Sequence, residues 1–329
     1  MIYYKKRRYN GMRAVILDGY TTNPGDLSWE WLKEFVDTYT VYDITPQDKI
    51  EERVKDCEIV ITNKTRLMKP QLDALTNTKY IGLLSTGFDA VDVQYARTLG
   101  IPVCNIPAYS TDGVAQLVFA HILEFTNRVS LHNAAVKDRE WQKNGNFCFW
   151  KSELHELSGK TLGIIGFGKI GHAVASIGKA FGMRVLAHTA HPEKYPDAAV
   201  EFVPQDTLLK ESDFITLHCP YTPATDKLVN ADFLSKCKRT AFLINTSRGG
   251  VVDEGALRNA LDKGIIAGAG VDVLSAEPAA ETNPIAFHEK CTVTPHIAWA
   301  AFETRERLMR ICADNLRAFL NGHPIHVVN

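Results

Sequence analysis

Thr161-Leu162-Gly163-Ile164-Ile165-Gly166-Phe167-Gly168-Lys169-Ile170-Gly171 is the stretch on which the fold turns. A short apolar run of buried-strand character feeds directly into G-x-G-x-x-G, and a small-residue helical pattern follows over residues 172–182. Strand, glycine turn and helix are the parts that hold a pyrophosphate. Gly166 permits the tight turn, Gly168 lets the main chain approach phosphate oxygens, and Gly171 lets the helix pack close to the strand. The helix N-terminus then offers unpaired N–H groups and a partial positive charge to the anion. The pattern predicts a dinucleotide site on Gly166, Phe167, Gly168, Lys169, Ile170 and Gly171.

Outward from this turn, strand-like runs alternate with helical patterns, the signature of a parallel α/β sheet. Before it, strands are predicted over 14–17, 40–42, 58–62, 80–84 and 103–105, with amphipathic stretches at 28–37 and 69–75. A second series begins at Thr161, with strands over 162–165, 184–187, 214–217, 241–245, 268–272 and 292–293. Two series predict two doubly wound parallel-sheet domains. They are joined by a long helix over 111–127, entered through Pro107-Ala108-Tyr109-Ser110, with Ser110 or Thr111 as N-cap. A last helix, over about 301–320, is stopped by Asn321-Gly322-His323-Pro324. The order is explained if a Rossmann dinucleotide-binding domain (109–299) is inserted into a flavodoxin-like substrate domain (1–108 and 300–329), with catalytic groups in the cleft between them.

The chain has 329 residues, ample for two domains, and a net charge of −1. That charge gives no general attraction to nucleic acid or to an anionic membrane, and no apolar run is long enough to span a bilayer. Residues 1–8 are basic without the apolar core of a signal peptide, and Met12 opens a strand-like run, so residues 1–11 read as an extension outside the fold or as a misassigned start. Seven scattered cysteines form no C-x-x-C, and the histidines show no H-E-x-x-H. Reduced thiols in a cytoplasmic protein and no metal site are the expectation.

Reduction of a 2-oxo acid needs a cation for the carboxylate, a proton donor facing the carbonyl oxygen, and a group that keeps that donor protonated and aimed. Candidates for all three follow predicted strands of the second series. Arg248 lies in Thr246-Ser247-Arg248-Gly249-Gly250, where α/β sheets bind ligands, and its planar fork suits a carboxylate and a neighbouring carbonyl. Glu277 lies in Ser275-Ala276-Glu277-Pro278, and His296 in Thr294-Pro295-His296-Ile297-Ala298-Trp299. A histidine titrates near neutrality and can give or take a proton; a Glu on its far ring nitrogen would orient it.

The ordered set G-F-G-K-I-G, N-T-S-R-G-G, G-V-D-V-L-S-A-E-P and T-P-H-I-A-W resembles the D-isomer-specific 2-hydroxyacid dehydrogenase family over nearly the whole chain after Met12. The resemblance implies that Arg248 binds substrate, Glu277 supports the histidine, and His296 is the general acid/base. It also implies a homodimer, with the long helix near the subunit contact. Within the family, residues 84–92, 104–111, 145–150 and 296–300 resemble the glycerate dehydrogenase, or hydroxypyruvate reductase, branch. That similarity implies that N–H groups around Thr86 and Gly87 hold the substrate carboxylate and that Trp299 walls a pocket for a small 2-oxo or 2-hydroxy acid. Relatives acting on D-lactate or 3-phosphoglycerate, and nucleotide-sensing corepressors of the same fold, are the alternatives. With nothing after Asn329, no appended regulatory domain of the kind many phosphoglycerate dehydrogenases carry is expected.

Further cofactor positions implied by the resemblance are His188 and Thr189, Cys219 and Pro220 beneath the adenosine, and Thr246, Ser247, Arg248 and Asp272 toward the nicotinamide, with Asp272 bonding the carboxamide. One feature departs from the pattern. NAD binders place an acid about 20 residues past the first glycine, on the ribose hydroxyls. Here the second strand runs into His188-Thr189-Ala190-His191, without an acid or an Arg for a 2′-phosphate. NAD is the expected cofactor, with NADP open.

Overall fold

The computed structural model describes residues 11–196 and 199–329. Of the expected N-terminal extension only Gly11 falls among them, and the rest lies outside the described residues. The chain divides into two compact units, one running to Tyr109 and resuming over Ala300–Asn329, the other being Ser110–Trp299.

The first unit carries strands β1 (Arg13–Ile16), β2 (Thr38–Val41), β3 (Ile59–Thr62), β4 (Tyr80–Leu83) and β5 (Val103–Cys104). All pair in parallel, in the order β2-β1-β3-β4-β5, the flavodoxin-like winding. Strands β3 and β4 are buried at every position, which is why they read as unbroken apolar runs rather than alternating ones. Each fully buried Ile or Leu there contributes about 1.5–3 kcal/mol. The helix Phe302–Leu320 packs on this sheet, its Phe319 ring 4.9 Å from that of Tyr80. Arg305, almost wholly buried, makes a two-pronged pair with Asp26 at 2.7 and 2.6 Å. The C-terminal residues then run back along β5, where Val328 N–H donates to Val103 O and Val103 N–H to Asn329 Oδ1, both at 2.9 Å. The stretch predicted at 28–37 shortens to a single 3-10 turn, Glu30–Glu34, and that at 69–75 to the helix Lys69–Asp73. In the first, Leu32, Phe35 and Val36 are already buried by that one turn, so a longer helix has no further apolar face to bury.

The second unit carries β6 (Thr161–Ile165), β7 (Arg184–His188), β8 (Glu201–Phe202), β9 (Phe214–Leu217), β10 (Phe242–Asn245), β11 (Gly268–Val271) and β12 (Cys291–Val293). The parallel order is β12-β11-β10-β9-β6-β7-β8. This is the Rossmann order with one added strand, and the winding reverses between β6 and β9, the switch point at which such sheets bind ligands. Strand β8 was not predicted, because two residues with one charged side chain give no periodic signal. The helix after the glycine turn spans Lys169–Ala180, starting three residues earlier than its small-residue pattern suggested, because Gly168 already serves as its N-cap.

Among the described residues no helix is long and apolar enough to cross a membrane, and no three or more His, Cys, Asp or Glu side chains cluster to hold a metal. The seven cysteines are all free thiols. Burial pushes Cys237, Cys291 and Cys312 up to about 12, leaving them unreactive at neutral pH.

Candidate active site

Because every strand of the second sheet is parallel, the segments that follow β6, β7, β9, β10, β11 and β12 emerge on one edge. The glycine turn opens that edge. Gly166 has φ +91°, and a Cβ there would stand 2.6 Å from both the Cys219 nitrogen and the His218 carbonyl carbon. The Gly166 N–H donates to His188 O at 2.8 Å, which ties the turn to the end of β7. A Cβ on Gly171 would meet the Gly166 oxygen at 2.5 Å, so the helix closes onto the turn only with glycine there. A Cβ on Gly168, by contrast, would meet nothing within 4 Å. The turn is thus packed behind and open in front, and no side chain caps the helix that follows. That is the shape of a pyrophosphate cradle, and the residues present fit a dinucleotide. Gly166→Ala combines the contact with an unfavourable φ and should cost about 2–5 kcal/mol, read as a lower urea midpoint. A loss under about 1 kcal/mol would mean the turn has another way to relax.

Phe167 is buried, its ring 4.1 Å from that of His172 and edge-on to Tyr195 and Phe202. Within the motif it offers main chain rather than side chain. Lys169 is exposed and Ile170 half-buried. At the end of β7, His188 Nδ1 lies 3.1 Å from Val203 O. A carbonyl only accepts, so Nδ1 carries a proton. Thr189 and Cys219 are half-buried and Pro220 is exposed.

The loop after β10 is organised by Asn245, buried at the strand end. Its Oδ1 accepts from Ser247 N at 3.0 Å and Ser247 Oγ at 2.8 Å, and its Nδ2 donates to Arg248 O at 3.0 Å. Thr246 is buried beside it. Arg248 is exposed, its Nη1 donating to Ser247 O at 2.7 Å, and it makes no ion pair with any described residue. A cation left unpaired at this edge is available to an anion. Gly249 packs hard on the next loop: a Cβ there would lie 2.0 Å from the Leu274 carbonyl.

Leu274 in turn holds the acid. Its N–H donates to Glu277 Oε1 at 3.0 Å, while Ser275 N–H donates to Glu254 Oε1 at 2.7 Å, so this segment is folded onto its own acid and tied to Glu254. Glu277 Oε2 stands 2.6 Å from His296 Nδ1. With the carboxylate accepting, the proton belongs on Nδ1, and Nε2 is free for chemistry. The His296 side chain is 27 % exposed, so a small molecule can reach it. Its backbone is left-handed, φ +55°, which a residue with a Cβ adopts only when held.

Asp272 does the holding. It is buried, its Oδ1 accepting from Thr294 Oγ1 at 2.6 Å and Ile297 N at 2.8 Å, its Oδ2 from Ala298 N at 2.9 Å, and its carbonyl from His296 N at 2.9 Å. A carboxylate has about four acceptor positions, and three of them serve its own loop. Asn245, Gly249, Leu274 and Thr294 were not singled out from the sequence. Only Asn245, in an N-x-S turn pattern, carried a local signal for its role. The structure brings Arg248, Glu277 and His296 onto three adjacent, interlocked loops of one unit. Trp299 is half-buried at the end of that unit.

Thr86 and Gly87 belong to the first unit, after β4. Thr86 Oγ1 donates to Ile106 O and Asn105 Nδ2 to Thr86 O, both at 2.7 Å, and Ser85 Oγ donates to Gly87 O at 2.6 Å. The loop is pinned through its carbonyls and the Thr86 hydroxyl. The Thr86 and Gly87 N–H groups meet no acceptor among the described residues, which suits an anion nest.

Residues 119–298 match the model of the D-isomer specific 2-hydroxyacid dehydrogenase NAD binding domain. The chain is 43% identical over 326 residues to the hydroxypyruvate reductase of Blautia hydrogenotrophica, covering 97% of this chain and 100% of that protein. It is 38% identical over 298 residues to the glycerate dehydrogenase of Methylorubrum extorquens, covering 90% and 91% of the two. Among solved structures, the NADPH-dependent glyoxylate/hydroxypyruvate reductase of Sinorhizobium meliloti, in complex with NADP and malonate, is similar with a TM-score of 0.79 at 28% identity, covering 97% of each chain. Likeness of this extent, on the fold and the loops just described, makes the chain a member of the D-isomer specific 2-hydroxyacid dehydrogenase family, an oxidoreductase with an NAD-binding domain.

Proposed function

We propose that the protein reduces hydroxypyruvate, or a 2-oxo acid of similar size, to the D-2-hydroxy acid, and oxidises D-glycerate in reverse. The observation that carries this is the 2.6 Å contact between His296 Nδ1 and Glu277 beside the unpaired Arg248. When bound, the nicotinamide supplies or accepts the hydride at C2. His296, protonated on both nitrogens, gives its Nε2 proton to the developing alkoxide and keeps its Nδ1 proton, hydrogen-bonded to Glu277. In the other direction the neutral ring takes the hydroxyl proton at Nε2. Arg248 clamps the carboxylate and polarises the carbonyl through its fork, and Trp299 restricts the substrate to a small one. The two named relatives, a hydroxypyruvate reductase and a glycerate dehydrogenase, support this choice of substrate.

For the cofactor, the Gly166–Gly171 turn takes the pyrophosphate. Cys219, Pro220, Thr246, Ser247 and Asp272 lie on the same sheet edge toward its two ends. At the end of β7, His188 and Thr189 stand where the usual acid would meet the ribose hydroxyls. No arginine stands there for a 2′-phosphate, so NADH is the preferred cofactor and NADPH is used less well. The test is a panel of NADH and NADPH against hydroxypyruvate, glyoxylate, pyruvate and phosphohydroxypyruvate, followed by absorbance. The highest kcat/KM is expected for hydroxypyruvate with NADH. No turnover with any of these acids would sink the enzymatic proposal, and a clear preference for pyruvate or phosphohydroxypyruvate would sink the choice of substrate.

The same proposal includes a cytoplasmic homodimer. Free thiols throughout support a reducing compartment. Val129, Phe147, Trp150 and Leu154 are large apolar side chains left exposed on one stretch of the second unit, with Phe147 at 95 %, and a second copy would cover them. Light scattering should give twice the 36.7 kDa chain mass, and a monomer would remove the dimer from the proposal.

A further inference from the structure

We propose that His121 is a positioning residue for His296, acting through a buried hydrogen-bond chain that runs from Thr292 through His121 and Thr294 to Asp272. The inference rests on the proposed role of His296 and extends it to a residue of the helix Thr111–Asn127.

That helix buries Val114, Ala115, Val118, Phe119, Ile122 and Phe125. His121 stands on the same buried face, 4 % exposed, where an imidazole must find partners. It finds two. Its Nδ1 lies 2.8 Å from Thr292 Oγ1 and its Nε2 lies 3.3 Å from Thr294 Oγ1. The ring lies against Gly270 in the middle of β11, where a Cβ would sit 2.9 Å from Cβ, Cγ and Nδ1 of His121. Gly270 pairs with Thr292 across the sheet, so the glycine makes the space that lets the ring reach both threonines.

The direction of each bond is set by the end of the chain. Asp272 accepts only, so the Thr294 hydroxyl spends its proton there, at 2.6 Å. Thr294 Oγ1 must then accept from His121, which puts the proton on Nε2. Nδ1 is left to accept from the Thr292 hydroxyl. His121 is therefore a neutral Nε2–H tautomer. Burial holds its pKa below the ordinary histidine value, with the Asp272 charge opposing, in keeping with that form. At the far end Asp272 anchors Ile297 N and Ala298 N through its carboxylate and His296 N through its carbonyl. His121 thus fixes the Thr294 hydroxyl, the Thr294 hydroxyl fixes the Asp272 carboxylate, and Asp272 fixes the loop that holds His296 in its left-handed backbone. A leucine at 121 would fill the space beside Gly270 but could not orient the Thr294 hydroxyl.

The test compares His121→Leu, His121→Gln and Thr294→Val with the wild type, in steady-state kinetics and by 15N–1H spectroscopy of the histidine rings. His121→Leu is expected to lower kcat about tenfold, the equivalent of one hydrogen bond of about 1.4 kcal/mol, with the KM for cofactor unchanged. His121→Gln, which can donate and accept across the same gap, should recover most of the loss. Thr294→Val should match His121→Leu, and the double variant should be little worse than either single one. In the spectra, wild-type His121 should be the Nε2–H tautomer, and the His296 ring signals should move in His121→Leu without any cofactor or substrate. Wild-type kcat in His121→Leu, no rescue by glutamine, additive losses, or an Nδ1–H tautomer would each overturn the proposal. If His121→Leu does not fold, the glutamine and Thr294→Val variants carry the same test. A wild type inactive on every 2-oxo acid would defeat the proposed reaction, whereas the spectra decide the His121 chain independently.

Discussion

His296→Asn is expected to lower kcat by about 10²–10⁴-fold, the range that general acid–base catalysis supplies, while NADH titrated by its fluorescence still binds with wild-type affinity. Asparagine is the right probe because of the backbone. His296 sits at φ +55°, and asparagine tolerates that region better than alanine does. The loop is held from the main chain on both sides, by Asp272 to His296 N, Ile297 N and Ala298 N, so replacing the ring should leave the loop in place. What disappears is the proton at Nε2 and the Glu277 partnership at 2.6 Å. The carboxamide cannot exchange a proton with an alkoxide. A variant within tenfold of wild-type kcat would remove His296 from the acid/base role, and a collapse of NADH affinity would mean that it shapes the cofactor site instead.

The parts of this site that were legible in the sequence share one property: each follows a strand. Central parallel strands are buried on both faces and so read as apolar runs. The residue types that stand just beyond β6, β10, β11 and β12 are therefore placed on one edge by the sequence alone. Arg248, Glu277 and His296 stand out in the sequence this way, and the structure adds that Gly249 and Leu274 interlock their loops. Strand β8 escaped because an exposed Glu and a half-buried Phe at a sheet edge carry no pattern. Phe167 was read with the motif as a whole, yet its ring belongs to an aromatic cluster with His172, Tyr195 and Phe202. Asp272 was read toward the nicotinamide. Its bonds to backbone N–H groups were invisible, because such donors are present at every non-proline residue and leave no mark in sequence. His121 was invisible for a different reason: its partner Thr292 stands 171 positions away along the chain, and only the packing of the helix on the sheet brings them together.

Arg248→Lys should raise the KM for the 2-oxo acid about 3–15-fold and lower kcat about 3–10-fold at saturating NADH, with NADH affinity unchanged. The charge survives in this variant, so the loss isolates geometry. Guanidinium presents paired donors in a rigid fork that fits a carboxylate and its neighbouring carbonyl together, whereas an ammonium is a point charge that serves one or the other. A charge-assisted hydrogen bond of about 1.5–3 kcal/mol corresponds to a factor of about 10–150 in kcat/KM. The position matters as much as the group. Asn245 holds the loop through three hydrogen bonds, and Gly249 packs on the Leu274 backbone, so the side chain leaves from a fixed point and a substitution cannot be repaired by moving the loop. Arg248 also has no ion pair among the described residues, and its one bond runs to the adjacent Ser247 carbonyl. Little of the protein's stability depends on it, and unfolding free energies of the variants from urea titration should stay within about 0.5 kcal/mol of wild type. Arg248→Ala should fall further than lysine, and added guanidinium ion should restore part of that loss but none of the loss in Arg248→Lys. If lysine supports kcat/KM within threefold of wild type, the fork is not what holds the substrate.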